Sequence, residues 1–321
     1  MMLDAPSSFR KPNGQWEHHI RQSDLERFGQ CPDLHRRFLV GDVQKDREGD
    51  AALVGTAGHE VYRIAAQALV DPSGGTLYPA EQLCDLGVMV VDKLWGEAEE
   101  NGTLSQMQIA SLADAETDVI NSVEVWCSEF YPLLANQPYL IQGIEHQFDI
   151  KIYEDLERVL FLSGTYDLKF DDEIQDYKHS RSQKYTKQKA WELSRYSKQP
   201  THYTFADAIE SGNSTEESKH YFSYVNINPE KKTLELVGEP EGLMPRTIAD
   251  FEFHMQEMFS LATLIEADLP RWPLGASDWW CSSKWCPAWM DCRGKFLGED
   301  PWQLLEKVEI NLTKKRLKAV Q

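Results

Sequence analysis

Two carboxylates and a lysine occur close together in the segment SGTYDLKFDDEIQDYK, residues 163–178. Asp176 and Lys178 are two residues apart, so on a strand they point to the same face of the sheet. A short turn brings Asp167, on the preceding strand, next to them. Converging carboxylates repel each other unless a cation lies between them, and their oxygens suit Mg²⁺ or Mn²⁺. The pattern predicts a metal site, and an ordinary surface turn is the alternative.

Further residues could complete such a site. The ammonium group of Lys178 could orient or help to deprotonate a water molecule, and it would offset charge that develops on a phosphate. His59 lies in a helix of otherwise apolar residues, so it is either a buried core histidine or a metal ligand. Glu145 has the phase of an inward-facing strand residue. Gln199 and Tyr203 are four residues apart and share one face of a helix.

The elements that must position these residues follow from the hydrophobic periodicity. A capping box at Ser23–Glu26 predicts a short helix that ends near Pro32. Longer helices are expected at 53–70, 80–100, 106–134, 193–211 and 245–267. Strands are expected at 141–148, 159–170, 173–179, 219–227 and 233–238. This order predicts an α/β protein with one domain over residues 20–300 and a helical insertion at about 75–135. Residues 1–19 are expected to form a flexible arm, and residues 301–321 a C-terminal helix and basic tail.

The net charge of -19 argues against a nucleic-acid partner, because binding phosphates needs local cations. Residues 81–130 hold eleven acidic residues and one lysine, whereas residues 178–198 hold seven basic residues and one acid. The basic run predicts a local nucleic-acid-binding track, and two solvated faces of opposite charge are the alternative. The predicted binding residues are Arg181, Lys184, Lys187 and Lys189. The aromatic residues of the run could stack on bases or belong to the core; they are Tyr185, Trp191 and Tyr196.

Four of the six cysteines have the spacing of a metal or cluster site. Cys281, Cys286 and Cys292 form a Cys-x4-Cys-x5-Cys pattern that needs a fourth ligand. Cys31, far upstream, is the candidate for that ligand. Four thiolates suit a [4Fe-4S] cluster or Zn²⁺, and zinc sites more commonly show paired short spacings. The pattern predicts that a cluster or metal joins the two ends of the chain.

Taken together, these residues resemble the RecB-like branch of the PD-(D/E)XK nuclease superfamily. That branch has a GxxxH helix, a GxxD strand, a DxK strand and a QxxxY helix in this order. The matching residues are Gly55 and His59, Gly164 and Asp167, Asp176 and Lys178, and Gln199 and Tyr203. Each motif is weak alone, but the ordered set across residues 55–203 is specific.

The resemblance implies a restriction-endonuclease-like mixed sheet flanked by helices, with helical additions and a cysteine-ligated cluster joining the chain ends. It also implies roles for the site residues. The implied Mg²⁺ or Mn²⁺ ligands are His59, Asp167, Asp176 and the Tyr177 carbonyl. The implied catalytic residues are Lys178, Asp167, Asp176, Gln199 and Tyr203. Among them, Lys178 would act on the attacking water, while Gln199 and Tyr203 would organise the site or the substrate.

Iron–sulfur-containing members of this branch include bacterial AddB nuclease domains and the CRISPR-adaptation nucleases. They take one cysteine from before the GxxxH helix and three from the C-terminal end, as here. This chain departs from them in having four residues, not two, between Cys281 and Cys286. The resemblance implies a [4Fe-4S] cluster with a mainly structural role, and Zn²⁺ is the alternative.

The function expected from these patterns is a metal-dependent DNA nuclease, specifically an exonuclease on DNA ends or single strands. Its setting would be DNA repair, recombination or the processing of phage or mobile-element DNA. The chain has no P-loop, so unwinding would need a helicase or recombination partner. The alternatives are a non-catalytic DNA-end-binding or scaffold subunit and a nuclease acting on RNA.

No apolar run approaches the roughly 18–20 residues that a membrane helix needs, so no membrane partner is expected. The N-terminal residues also lack an apolar leader. We therefore expect the protein in the cytoplasm, or in the host cytoplasm if a phage encodes it.

Overall fold

The computed structural model describes residues 8–41, 50–71, 73–102, 111–181, 184–212, 220–238 and 243–275, and six residues near the C-terminus: 281, 286, 288, 289, 291 and 292. These residues form two compact units. The first unit comprises the described residues up to Glu26 and from 50 to Glu266, and the second comprises those of 27–41 and those from Ala267 onward. A single domain over residues 20–300 was expected, and the structure differs from it because segments from both ends of the chain pair with each other in the second unit. The predicted helix and tail at 301–321 lie outside the described residues.

The strands of the first unit form one mixed sheet in the order β1-β2-β4-β5-β6-β7, with β3 also paired to β4. Most pairs are antiparallel, whereas β2 with β4 and β5 with β6 are parallel. The predicted mixed α/β architecture is therefore confirmed. The strands are β1 (Ser8–Arg10), β2 (Trp16–Ile20), β3 (Ile141–Glu154), β4 (Arg158–Phe170), β5 (Glu173–His179), β6 (Tyr221–Asn228) and β7 (Thr233–Gly238).

The predicted flexible arm over residues 1–19 is wrong for its described part. Residues 16–20 pair in parallel with residues 158–162 of β4, and β1 pairs with β2. His18 and Ile20, two residues apart on β2, are both buried. Because alternate side chains of a strand share one face, this burial fixes the segment on the sheet.

The helices lie between and after the strands along the chain. They are α1 (Gln22–Gln30), α2 (Pro32–Leu39), α3 (Asp50–Leu69), α4 (Ala80–Glu100), α5 (Leu112–Glu129), α6 (Tyr131–Asn136), α7 (Ala190–Tyr196), α8 (Lys198–Glu210) and α9 (Ile248–Glu266). The helix expected over 106–134 is broken between α5 and α6, where Pro132 has no N–H to donate. The helix expected over 193–211 is likewise two helices, with Pro200 in the first turn of the second.

The main core of the first unit lies between α3, α4, α5 and the sheet. Ala57, Val61 and Ala65 on α3 are fully buried, as are Val119 and Val123 on α5. This core holds α3 firmly in place, which matters because α3 carries His59. In the part of the chain that the structure describes, no helix has the length and apolar character needed to cross a membrane.

Candidate active site

Three carboxylates from three neighbouring strands meet at the candidate site. Leu168 of β4 pairs with Gln175 of β5, so the preceding residue, Asp167, lies across from Asp176. On the other edge of β4, the register of β3 places Glu145 across from Asp167. Residues directly opposite each other on antiparallel strands point to the same face. The two predicted aspartates are thus brought together, and Glu145 joins them.

His59 completes a group that could hold a cation. His59, Glu145 and Asp167 each offer one ligand atom, and these atoms lie within 4.8 Å of one another. No other three acidic, histidine or cysteine residues meet in this way among the described residues. Glu145 has a left-handed backbone with φ at 47°, which is strained for a glutamate. Such strain concentrates at functional sites, which makes Glu145 a candidate ligand.

His59 contacts both Tyr177 and Asp167. Its Nε2 donates to the Tyr177 carbonyl at 3.0 Å, because a carbonyl can only accept. Its Nδ1 lies 3.4 Å from Oδ2 of Asp167, which also accepts from the backbone N–H of Tyr177 at 2.8 Å. His59 is therefore held against Asp167 through one ring nitrogen and against the backbone of β5 through the other. The Tyr177 carbonyl, a predicted ligand, is used here as the acceptor for His59.

The carboxylates of the site shift each other's pKa. Burial raises the pKa of Glu145 to about 7, and the charge of Asp167 adds to the shift. Burial raises the pKa of Asp176 to about 6 despite the nearby charge of Lys178, and Asp167 again adds to it. The negative charge at this site is therefore incompletely compensated by the protein. A divalent cation would compensate it, so the residues present fit Mg²⁺ or Mn²⁺.

Asp176 is held by two predicted site residues. Its side chain is 3% exposed, and Oδ2 forms an ion pair with Lys178. Oδ1 accepts a hydrogen bond from Nε2 of Gln199 on α8. Burial lowers the pKa of Lys178, but the negative charges of Asp176 and Asp167 together with the nearby tyrosine hydroxyls outweigh this effect, and the net shift is upward. Lys178 therefore carries a full positive charge at neutral pH.

Tyr203 lies beneath the site as a buried ring. Its ring centre is 5.4 Å from that of Tyr166 and 5.9 Å from that of Phe148. Burial raises the pKa of its hydroxyl, and the charges of Asp176 and Asp167 raise it further. Tyr203 is thus close to both aspartates, and its hydroxyl stays protonated.

Two glycines near the site have no room for a side chain. A Cβ at Gly58 would lie 2.4 Å from Nε2 of His179, which hydrogen-bonds the Tyr62 hydroxyl. A Cβ at Gly164 would lie 2.4 Å from the Phe148 ring. By contrast, a Cβ at Gly55 would make only an ordinary contact at 3.9 Å. Gly58 was missed from the sequence, because the GxxxH pattern draws attention to Gly55.

The predicted basic track lies between β5 and α7. Arg181 forms an ion pair with Asp118, and Lys189 forms one with Glu192. The ammonium group of Lys184 lies 4.9 Å from the centre of the Tyr185 ring. Lys187 is exposed, in the short 3-10 helix of residues 187–189. Two of the four predicted cations are therefore partly neutralised by acidic partners.

The second unit brings the four predicted cysteines to one cavity, which is lined by Cys31, Cys281, Cys286 and Cys292. The backbone N–H of Gly275 donates to Sγ of Cys31 at 3.3 Å. Burial raises the pKa of the Cys286 thiol to about 11, and the other three sulfurs add to the shift. Within the described residues, no three of these sulfurs come within 4.8 Å of one another. The four cysteines therefore line one cavity without lying within 4.8 Å of one another as a group of three.

Comparison of the chain with protein-family models and with curated proteins found no match.

Proposed function

We propose that the protein is a metal-dependent nuclease of the RecB-like PD-(D/E)XK type that hydrolyses phosphodiesters in DNA. The observation that carries this proposal is the meeting of His59, Glu145 and Asp167 beside the ion pair of Asp176 with Lys178. The mixed sheet, in which antiparallel β3, β4 and β5 continue into parallel β6, is compatible with a restriction-endonuclease-like fold.

A divalent cation fits the donor set of this site. Carboxylate oxygens are suitable ligands for Mg²⁺ and Mn²⁺. We assign the ligand roles to His59, Asp167 and Asp176, with the Tyr177 carbonyl beside them, and we add Glu145. When bound, the cation supplies Lewis-acid activation of water and neutralises charge on the phosphate.

The protein's own groups would position the reactants and stabilise charge. Lys178 is protonated, so we assign it electrostatic stabilisation of the phosphate as its negative charge grows. This differs from removal of a proton from water, for which an amine must be neutral. Gln199 fixes the orientation of the Asp176 carboxylate through its hydrogen bond. Tyr203 packs against Tyr166 in the core and lies close enough to the aspartates for their charges to raise the pKa of its hydroxyl.

We also propose a [4Fe-4S] cluster in the second unit, with Zn²⁺ as the alternative occupant. The support is that four cysteines from distant parts of the chain line one cavity. At Gly275, a Cβ would lie 2.2 Å from the Gln30 carbonyl and 3.0 Å from Cys31. This close approach keeps the segment before the C-terminal cysteines against the segment that carries Cys31. Iron–sulfur clusters and structural zinc are both held by four thiolates.

The nuclease proposal is tested with a digestion panel. Single-stranded DNA, duplex DNA and RNA, each labelled at the 5′ or the 3′ end, are incubated with Mg²⁺, Mn²⁺ or EDTA. We expect DNA cleavage that needs Mg²⁺ or Mn²⁺ and is absent in the Asp167→Asn variant. Cleavage of RNA alone would show that the substrate is RNA and not DNA. Metal-dependent DNA binding without cleavage would favour a non-catalytic scaffold subunit. The expected biological setting is DNA repair, recombination or mobile-element processing, with a helicase or recombination partner for unwinding.

A further inference from the structure

Helix α7 exposes two large aromatic side chains on the same unit as the candidate active site. Trp191 is 59% exposed and Tyr196 is 65% exposed. The guanidinium of Arg195 lies 5.2 Å from the centre of the Trp191 ring and 5.3 Å from that of Tyr196. We call these three residues the α7 surface. Arg195 contacts both rings, so the three side chains form one continuous patch.

The exposure of these rings is not required by packing. The core-facing side of α7 buries Ala190, Leu193 and Ser194 instead. Single exposed apolar residues are common, but two neighbouring aromatic rings with an arginine between them are a recurring feature of binding surfaces. An arginine near a ring also gains a cation–π attraction, which helps to hold the patch in one arrangement.

A third ring lies close to the active site, in the segment that precedes α7. Tyr185 lies just before the 3-10 helix that leads into α7. Its ring centre is 5.8 Å from the ammonium of Lys178 and 4.9 Å from that of Lys184. It also packs at 5.1 Å against Tyr224. An aromatic ring therefore lies beside the lysine to which we assign phosphate stabilisation.

The charge of the segment favours a nucleic acid as the occupant. Between residues 184 and 198 there are five basic residues and one acidic residue, in a protein whose net charge is -19. Lys189 and Lys198 have acidic partners, while Lys187 is exposed beside α7. A cationic patch on an acidic protein attracts a polyanion. Rings that can stack on bases and cations that attract phosphates are the two components of surfaces that bind single strands.

We infer that the α7 surface and Tyr185 form a base-stacking subsite for single-stranded nucleic acid that leads to Lys178. The inference rests on the proposed function, because it names the substrate form that the site receives. In a duplex the base faces are already stacked on each other, so exposed rings can bind only unpaired bases. The α7 surface therefore selects single strands or frayed ends over intact duplex.

The test measures binding separately from cleavage. A fluorescently labelled oligo-dT and a blunt duplex of the same length are titrated with protein in EDTA, and anisotropy reports the affinity. We expect Trp191→Ala and Tyr196→Ala each to weaken oligo-dT binding by about 5- to 150-fold, the range for loss of one stacked base. Weak duplex binding should change little, and Trp191→Phe should retain most of the single-strand affinity. Tyr139→Ala, at a ring that is 72% exposed and distant in sequence, is the matched control.

The outcomes separate this inference from the nuclease proposal. In one outcome, the α7 variants lose single-strand affinity while the wild-type protein cleaves nothing with Mg²⁺ or Mn²⁺. This result would support the subsite and contradict the nuclease proposal. Wild-type affinity in both alanine variants overturns the subsite, whether or not the protein cleaves DNA. Equal losses for duplex and single strand, or no binding of oligo-dT by the wild type, also overturn it. A change in self-association alone, measured by sedimentation, would instead identify α7 as a protein interface.

Discussion

Asp176 and Lys178 form an ion pair along one face of β5, and the carboxylate is almost completely buried. A lysine that is held in this way stays charged, because Asp176 and the other acidic groups around it together raise its pKa more than burial lowers it. Gln199 holds the other oxygen of the carboxylate, so the pair has little freedom to rotate. The charge of Lys178 is therefore fixed in position before any substrate arrives, which is the condition for electrostatic preorganisation.

We expect Lys178→Gln to lower the kcat of Mg²⁺-dependent DNA cleavage by about 10²- to 10³-fold, as for loss of one preorganised donor. Asp176→Ala should abolish cleavage, because it removes a carboxylate of the proposed metal site. Asp172→Asn, at an exposed turn residue of the same hairpin, should cleave at the wild-type rate. Initial rates on labelled DNA at saturating Mg²⁺ measure these effects. Full activity of the Asp176 variant in a folded protein would remove the active-site assignment.

Glu145 should destabilise the metal-free protein, because it adds a third carboxylate to a crowded site. At pH 8, above its pKa of about 7, we expect Glu145→Gln to raise the melting temperature in EDTA by about 2–4 °C. This rise corresponds to a gain of about 1 kcal/mol in the free energy of unfolding. The rise in melting temperature on adding Mg²⁺ should be smaller than in wild type, since a ligand has been lost. Both effects are measured by thermal denaturation.

The pH dependence of this effect follows from the same pKa. Because folding raises the pKa of Glu145, the folded state binds more protons than the unfolded state between about pH 4.5 and 7. The contribution of Glu145 to the free energy of unfolding therefore falls as pH rises through this range. The stabilising effect of Glu145→Gln should therefore shrink at pH 6. Glu154→Gln, at an exposed glutamate paired with Lys151, is the control and should show neither effect. A Mg²⁺ response equal to that of wild type would exclude Glu145 as a ligand.

The sequence predicts the strand and helix order and the pairing of Asp167 with Asp176, because both depend on local periodicity and a short turn. It does not predict the β1–β2 ribbon, since the parallel pairing of β2 with β4 joins segments about 140 residues apart in sequence. Glu145 was identified only as an inward-facing residue, because its left-handed backbone depends on the tertiary context. The steric requirement at Gly58 depends on His179 from another element, which no local pattern reveals.

The two glycines of the GTAGHE segment should respond differently to alanine. Both lie in α3, so each substitution gains about 0.5–1 kcal/mol of helix propensity. At Gly55 the new Cβ meets only an ordinary contact, and we expect a stabilised or unchanged protein. At Gly58 it displaces His179 from its bond to Tyr62, and overpacking costs about 1–3 kcal/mol. Urea unfolding measures the difference, and equal stabilities would mean that His179 moves freely.

Two buried histidines should make the first unit sensitive to acid. Nδ1 of His202 lies 2.9 Å from Nε2 of His254, and Nε2 of His202 donates to the Ser163 carbonyl at 3.0 Å. Burial lowers the pKa of His202 to about 4 and also lowers that of His254. The unfolded state then binds more protons than the folded state between about pH 6.5 and 4, so stability falls as pH falls.

Replacing one of these histidines should reduce that acid sensitivity. Between pH 5.5 and 4.5, we expect His254→Gln to lower the slope of unfolding free energy against pH by about 1.4 kcal/mol per unit, the value for one proton. His146→Gln, at a histidine with a 42% exposed side chain, is the control and should keep the wild-type slope. Urea titrations at each pH give the slope. A His254 variant with the wild-type slope would show that His254 is not neutral in the folded protein.

The four cysteines should hold iron when the protein is purified without oxygen. We expect brown protein with about four iron atoms per chain, as for one [4Fe-4S] cluster. Cys31→Ser should lose the colour and the iron, because Cys31 is the one cysteine of the four that comes from the N-terminal part of the second unit. Cys84→Ser, at a partly buried thiol of α4, should keep both.

Loss of the link between the chain ends should also lower the melting temperature of the Cys31 variant, since a bound cluster stabilises only the folded state. Colourless protein with one tightly bound zinc per chain would show that the occupant is zinc and not a cluster. Protein with neither metal would show that the four cysteines are not ligands.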